Sequence, residues 1–399
     1  MGVASGAFER ESNLRGESVV IGSGVIGSGV NGSGVNPSAV NRSIWKRYRT
    51  TLLFIGLVVG LVLSGLVIAA HAQTDAAQEH VAAAKAAVSP KGANPQQWRV
   101  FNSAFNQMCA EPRAGARPQP VGKDVPLEPG EAAKLTPTPR EKWYAPPAKV
   151  FDNLYYIGTK TESTWALTTS AGIILINTNF DWVTPELLDE LRTFDLDPAN
   201  IKYAIIVRSH SDQSWGINAL KKAAPSARVI LSAGDWDFLA KDNSPARVKP
   251  TKDMVAKDGE KVTLGDTTVT LYSTPGASAD NLSIIFPVRD GNERHLAGMI
   301  GGTTMNLVQG GVQVFPDTQT MIKTYIASAK RFKEIEDKAG VDTIISIHAA
   351  LDNMFQKIDA LQDRKPGNPH PFVSKDDVDR FSTIVMECGE AKLAWANSK

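Results

Sequence analysis

Six residues, Arg208-Ser209-His210-Ser211-Asp212-Gln213, follow directly on the apolar run Ile201 to Val207 and gather five chemically distinct side chains in one loop. An imidazole and a carboxylate two residues apart are donor types that hold a divalent ion such as zinc or iron. Arg208 opposes that chemistry from within the same loop, because a guanidinium stays charged and does not coordinate. A second imidazole, His348, lies just past the apolar run ending at Ile347. His210, Asp212 and His348 make a set that can hold one divalent ion with positions left for water and substrate, the Gln213 oxygen helping. The ordinary readings are two hydrogen-bonded core histidines and an Asp212 that caps the helix expected near Trp215.

Other chemistry-bearing residues are less organised. Ser209, Ser211 and Ser214 flank His210 and have the right type for a nucleophile, but serine is common in turns and the pairing needs contact geometry. His80, His295 and His370 lie outside these loops and suit packing or surface roles. Cys109 and Cys388 are the two cysteines; a disulfide between them and two buried free thiols are equally open readings.

The elements that must position these residues are legible from periodicity and turn chemistry. Strands are expected over Val150 to Ile157, Thr164 to Thr169, Gly172 to Asn177, Ile201 to Val207 and Arg228 to Ser232. Helices are expected from Thr184, from Trp215 to Ala224 and from Asp235 to Lys241. The second half repeats this pattern. Strands are expected at Lys261 to Leu264, Thr267 to Ser273, Leu282 to Pro287, His295 to Met299 and Asp342 to Ile347, with helices over Thr318 to Asp337 and from Lys375. Two β-rich halves, each closed by helices, imply an α/β fold built as a four-layer αββα sandwich, with loops gathered along one edge.

Ahead of residue 149 the composition changes. Residues 1–50 include four Gly/Ser/Val-type pentads between Ile21 and Val40, too poor in buriable side chains to offset ordering entropy, and read as a disordered tail. Residues 51–72 combine an uncharged apolar run to Ala70 with a preceding Lys46-Arg47-Tyr48-Arg49 and a following Ala70-His71-Ala72. They read as an export signal or an N-terminal membrane anchor, so the rest is expected to be periplasmic or secreted. Residues 73–148 read as an Ala-rich helix and then a Pro-rich arm, and 149–399 as the main domain. Against 43 basic residues stand 42 acidic ones, so no long-range field draws the chain to nucleic acid.

Several segments together resemble the metallo-β-lactamases, closest to the His-rich subclass without a cysteine ligand. They are Val150-Phe-Asp-Asn-Leu-Tyr-Tyr-Ile-Gly158, Gly172-Ile-Ile-Leu-Ile-Asn-Thr178, Ile205 to Gly216, Val262 to Thr268, Thr274-Pro-Gly276, Ile347-His-Ala349 and Asn368 to Val373. The resemblance implies two zinc ions and a bridging hydroxide that attacks a carbonyl. Its first metal site maps to Arg208, His210 and Ala277, and its second to Asp212, Gln213 and His348. Half of the ligands are therefore replaced. Arg208 is expected to form a two-pronged ion pair with Asp212 in place of metal charge. Asn177 stands where an acid is expected, Asp280 replaces a glycine, and Trp215, also at a glycine position, is expected to fill volume beside the site.

Two functions follow. One is an exported hydrolase with a single divalent ion held by His210, Asp212, His348 and Gln213, acting on a small ester, amide or lactone, with Asp212 and Arg208 in catalysis. The other is a metal-free, catalytically silent homologue that binds or assembles with an active paralogue. A homo-oligomer fits either reading, and ordinary β-lactamase activity is not expected from this ligand set.

Overall fold

Burial in the strand Gly172–Ile176 alternates between two cores: Ile174 and Ile176 enter one, Ile173 and Leu175 the other. A strand covered on both faces must be apolar throughout, which accounts for the sequence Gly-Ile-Ile-Leu-Ile. The computed structural model describes residues 75–91, 99–111, 139–242, 248–309 and 312–398, with Ile55 and Val59 besides. All elements named below belong to one compact unit, Gly65–Lys399.

The first sheet has seven strands in chain order: β1 (Ala148–Phe151), β2 (Leu154–Tyr156), β3 (Trp165–Thr169), β4 (Gly172–Ile176), β5 (Ile201–Ile205), β6 (Arg228–Ser232) and β7 (Met254–Ala256). Pairing is antiparallel to β4 and parallel from there on. Parallel neighbours need crossovers, and the chain supplies α4 (Thr184–Glu190) before β5 and α6 (Ile217–Ala223) before β6. Between β6 and β7 comes α7 (Ala233–Lys241), whose first turn is capped by the Ser232 side chain accepting from Asp235 N–H. Leu187, Leu188, Ile217, Leu220, Trp236 and Leu239 from these helices form one core with Ile173 and Leu175.

The second sheet runs β14 (Thr343–Ile344), β11 (Glu293–Met299), β10 (Leu282–Asp290), β9 (Thr267–Ser273), β8 (Lys261–Leu264); β12 (Val308–Gln309) and β13 (Val312–Gln313) form a separate pair, and the single turn α3 (Arg140–Trp143) precedes β1. Its outer face is covered by α8 (Thr318–Ala339) and α10 (Lys375–Asn397), with Ile285, Tyr325, Phe332, Phe381 and Ile384 in a shared core. Between the sheets Trp165, Ile174 and Ile205 meet Leu271, Ile284 and Phe286. Three cores between four layers confirm the αββα sandwich.

Two helices from the amino-terminal side join the outer core. Helical residues 75–86 (α1) and α2 (Asn102–Met108) bring Ala84, Ala104 and Met108 against Phe381, Val385 and Cys388. Cys109 is disulfide-bonded to Cys388, with Cα atoms 4.6 Å apart. The Pro-rich passage over 112–138 lies outside the described residues, as does the tail-and-leader segment 1–72 apart from Ile55 and Val59. Among the described residues no helix is long and apolar enough to cross a membrane.

Three local expectations need correction. The strand expected over Val150 to Ile157 is a hairpin, β1 and β2, turning at Asp152-Asn153. Asn153 makes that turn by bonding across to β10, accepting from Arg289 N–H at 2.9 Å and donating to Pro287 carbonyl at 3.2 Å. The strand expected over Asp342 to Ile347 narrows to Thr343–Ile344. A helix, α9 (Met354–Gln362), follows His348 where none was expected, docking Met354 and Ile358 into the inter-sheet core.

Candidate functional site

β5 ends at Ile205, and the fully buried Ile206 and Val207 carry the chain to Arg208 at the sheet edge. The single turn α5 (Ser211–Ser214) then begins with His210 at its cap position, without a side-chain cap. Asp212 is therefore inside the turn rather than capping it, and its carboxylate is turned to side chains instead.

Arg208 is 1% exposed, so every charge-bearing contact it makes is within the protein. Its Nε donates to Gln213 Oε1 at 2.7 Å and its Nη1 to Thr304 Oγ1 at 3.4 Å. Nη2 donates to Asp212 Oδ2 at 3.2 Å and lies 3.0 Å from His348 Nε2. Gln213 Nε2 also donates to Asp212 Oδ2, at 2.6 Å, closing a ring of three side chains. The ion pair with Asp212 is thus present, but the expected two-pronged fork is not. Gln213 takes Nε and His348 shares Nη2, so the guanidinium is divided among four partners.

Behind His348 stands Glu162, a residue that the sequence reading did not single out. His348 Nδ1 lies 2.6 Å from Glu162 Oε2, and the two residues also form an isolated β-bridge. A carboxylate against the far nitrogen is how metal-ligating histidines are oriented. Here the near nitrogen, the one a metal would use, faces a guanidinium.

Charge follows from this packing. Burial would push Asp212 up, but Arg208 and the neighbouring imidazoles hold it down to about 2. Burial raises Glu162 despite His348. His210 is depressed to about 3, first by burial and then by the Arg208 charge, so it is neutral. Its Nε2 donates to the Ala277 carbonyl at 3.0 Å, which leaves that nitrogen without a lone pair for a metal.

The serines have structural partners. Ser209 N–H and Oγ both bond to Asp235, at 3.1 and 2.9 Å, and Ser278 Oγ donates to the same carboxylate at 3.0 Å. Burial, opposed by these bonds, raises Asp235 to about 7. Ser214 Oγ donates to the carbonyls of Ser209 and His210. Trp215 lines a cavity of about 520 Å³ with Pro185, Leu188 and Ala219; it is Arg208 that is packed among the mapped ligand positions. Asn177 accepts from Val207 N–H at 3.1 Å and Asp280 accepts from the Ser273 hydroxyl. His80 pairs with Glu387, His295 with Asp342, and His370 stacks on Phe151 at 4.1 Å, all outside the site.

Glu162, Asp212 and His348 place one donor atom each within 4.8 Å of one another and form a candidate metal-ligand group. The two-ion arrangement does not fit these residues. Arg208 and Ala277 offer no donor, the His210 nitrogen is bonded to a carbonyl, and Arg208 Nη2 stands against both Asp212 Oδ2 and His348 Nε2. A single ion at Glu162, Asp212 and His348 would compete with the guanidinium for Asp212 Oδ2 and His348 Nε2.

No protein-family model matches the chain. Among solved structures it is similar to BJP-1, a subclass B3 metallo-β-lactamase of Bradyrhizobium japonicum, at 24% identity and TM-score 0.52, over 60% of this chain and 90% of that one. FEZ-1 metallo-β-lactamase from Legionella gormanii matches at 23% and 0.52, over 59% and 91%. A Cronobacter sakazakii metallo-β-lactamase described by a HARLDQ motif matches at 23% and 0.55, over 65% and 93%. Letter against letter, that motif ends in the same Asp-Gln as Asp212-Gln213 and carries its arginine at the third position rather than the first. The chain adopts the metallo-β-lactamase fold, as the resemblance in its sequence implied.

Proposed function

We propose that this chain works without a resident metal ion, as a catalytically silent homologue that binds or assembles with an active relative, Arg208 supplying the positive charge of the site from within. The observation that carries this reading is Arg208 Nη2, in contact with both Asp212 Oδ2 and His348 Nε2. A dication beside a buried guanidinium meets like charge at short range in a medium that screens poorly, which disfavours joint occupancy.

A second reading is a hydrolase of the metallo-β-lactamase superfamily with one ion. It is favoured by the Glu162, Asp212 and His348 group and by the likeness to proteins named metallo-β-lactamases. Those three residues, with Gln213, would hold zinc or iron. The ion would supply Lewis acidity and an activated water for a small ester, amide or lactone. His210 is not a ligand in this reading, because its Nε2 is committed to Ala277. In both readings we also propose export. The disulfide supports it, since such bonds persist in oxidising compartments, and so does the apolar run ahead of Ala72.

Elemental mass spectrometry on the purified chain, before and after dialysis against zinc or iron, separates the two. Absence of bound metal and of turnover on ester, amide and lactone panels is expected, with co-purification of an active family member. About one ion per chain, lost together with hydrolysis in Asp212→Ala, would overturn the silent reading in favour of the hydrolase.

A further inference from the structure

Two charged side chains are buried without taking part in the Arg208 cluster. The side chains of Lys357, on α9, and Asp352, just ahead of it, are 0% exposed, and their closest atoms, Nζ and Oδ2, are 3.5 Å apart. Among the described residues neither Lys357 Nζ nor either carboxylate oxygen of Asp352 has a hydrogen-bond partner of ordinary geometry. The ammonium has a ring face of Phe372 near it, 5.2 Å from Nζ to the centroid, which gives it no acceptor.

Two more fully buried groups share this condition, Ser163 Oγ and Trp165 Nε1. Tyr156 ties them together. Its ring lies 5.1 Å from that of Trp165, and its hydroxyl, which donates to the Thr159 carbonyl, is raised by burial first and then by the charge of Asp352. Ser163 N–H donates to Ile347 carbonyl at 3.0 Å, so these groups lie directly against the segment that ends in His348.

A buried polar group without a partner keeps its full desolvation penalty, and a charged one keeps a larger one, so an unsupported buried pair does not recover its desolvation. The chemistry of these orphans selects what would satisfy them. Lys357, Trp165 and Ser163 donate; Asp352 and Ser163 accept; the ion pair has no net charge. A bare cation is repelled by Lys357 and a bare anion by Asp352. A small neutral molecule that both donates and accepts suits all four. We propose that Asp352, Lys357, Ser163 and Trp165 line an internal site for ordered water, backing the wall on which Glu162 and His348 meet.

Two measurements test this. A crystal structure of the full chain, at a resolution that shows ordered solvent, is expected to place water within hydrogen-bond distance of both Lys357 Nζ and an Asp352 oxygen. A direct Lys357–Asp352 hydrogen bond with no solvent there, or halide density after a bromide soak, would overturn it. In solution, water oxygen-17 relaxation dispersion of the full chain is expected to lose a long-lived contribution in the Asp352→Leu/Lys357→Met double variant, which removes both charges together. An unchanged profile in a folded double variant also overturns the proposal.

Discussion

Arg208 and His348 are 140 positions apart in the chain, and Nη2 of the first lies 3.0 Å from Nε2 of the second. The contact uses the Nε2 lone pair, the same electrons that a metal would need. Arg208 and a metal ion therefore compete for His348 as they do for Asp212.

Removing Arg208 leaves Asp212 and Gln213 without their donor in a buried place. Arg208→Ala is expected to lose about 3–5 kcal/mol of stability, read by chemical unfolding. Added zinc is expected to raise the melting temperature of this variant while leaving the parent unmoved, because Glu162, Asp212 and His348 are then free to ligate. A zinc-induced rise of equal size in both proteins would contradict the competition.

Asp235 gives a pH signature. Its folded pKa is raised from 3.8 to about 7, so its contribution to stability is whole at low pH and is lost as pH rises between those values. Asp235→Asn cannot ionise. Its stability relative to the parent is expected to rise by roughly 3 kcal/mol from about pH 5 to about pH 8, at about 1.4 kcal/mol per unit. Urea titrations giving the same difference at both pH values would refute this.

Gly216 and Gly259 separate two reasons for glycine. A Cβ on Gly216 would collide with Thr184 Oγ1 and the Thr178 carbonyl, although its φ of −72° is ordinary. Gly259 has open space but a φ of 74°. Gly216→Ala is expected to cost about 2–3 kcal/mol by overpacking and Gly259→Ala about 1 kcal/mol by backbone strain. Thermal unfolding of the two variants with the opposite ranking would count against the crowded turn.

Reduction of Cys109–Cys388 is expected to cost about 2–5 kcal/mol. Both cysteines are buried, at 8% and 1% exposure, so alkylation of the native protein should require reductant and partial opening of α2 from α10. Melting with and without reductant, with labelling followed by mass spectrometry, reads both effects.

The layers were legible because a strand buried on two faces and a helix buried on one leave different periods in the sequence. The run Gly172–Ile176 and the stripe Met321, Ile322, Tyr325, Ile326, Ala329 carry those periods directly. Arg208, Asp212 and Gln213 were legible for a different reason: all lie in one loop, so their spacing is local. Glu162 and Thr304 were not, since they reach the site from separate loops and no spacing in the chain marks a contact made only by the fold. Local spacing also favoured the Arg208–Asp212 fork, which Gln213 breaks by taking Nε and distant His348 by sharing Nη2.

The disulfide closes a loop of 279 positions around nearly all of the α/β sandwich. A single peptide-bond cut anywhere between Cys109 and Cys388 therefore yields two polypeptides that stay one molecule. Such a nick would leave mass and sedimentation almost unchanged and show on a gel only after reduction. Under a protease that cuts surface loops, the protein would carry breaks in its chain without losing a piece of its fold.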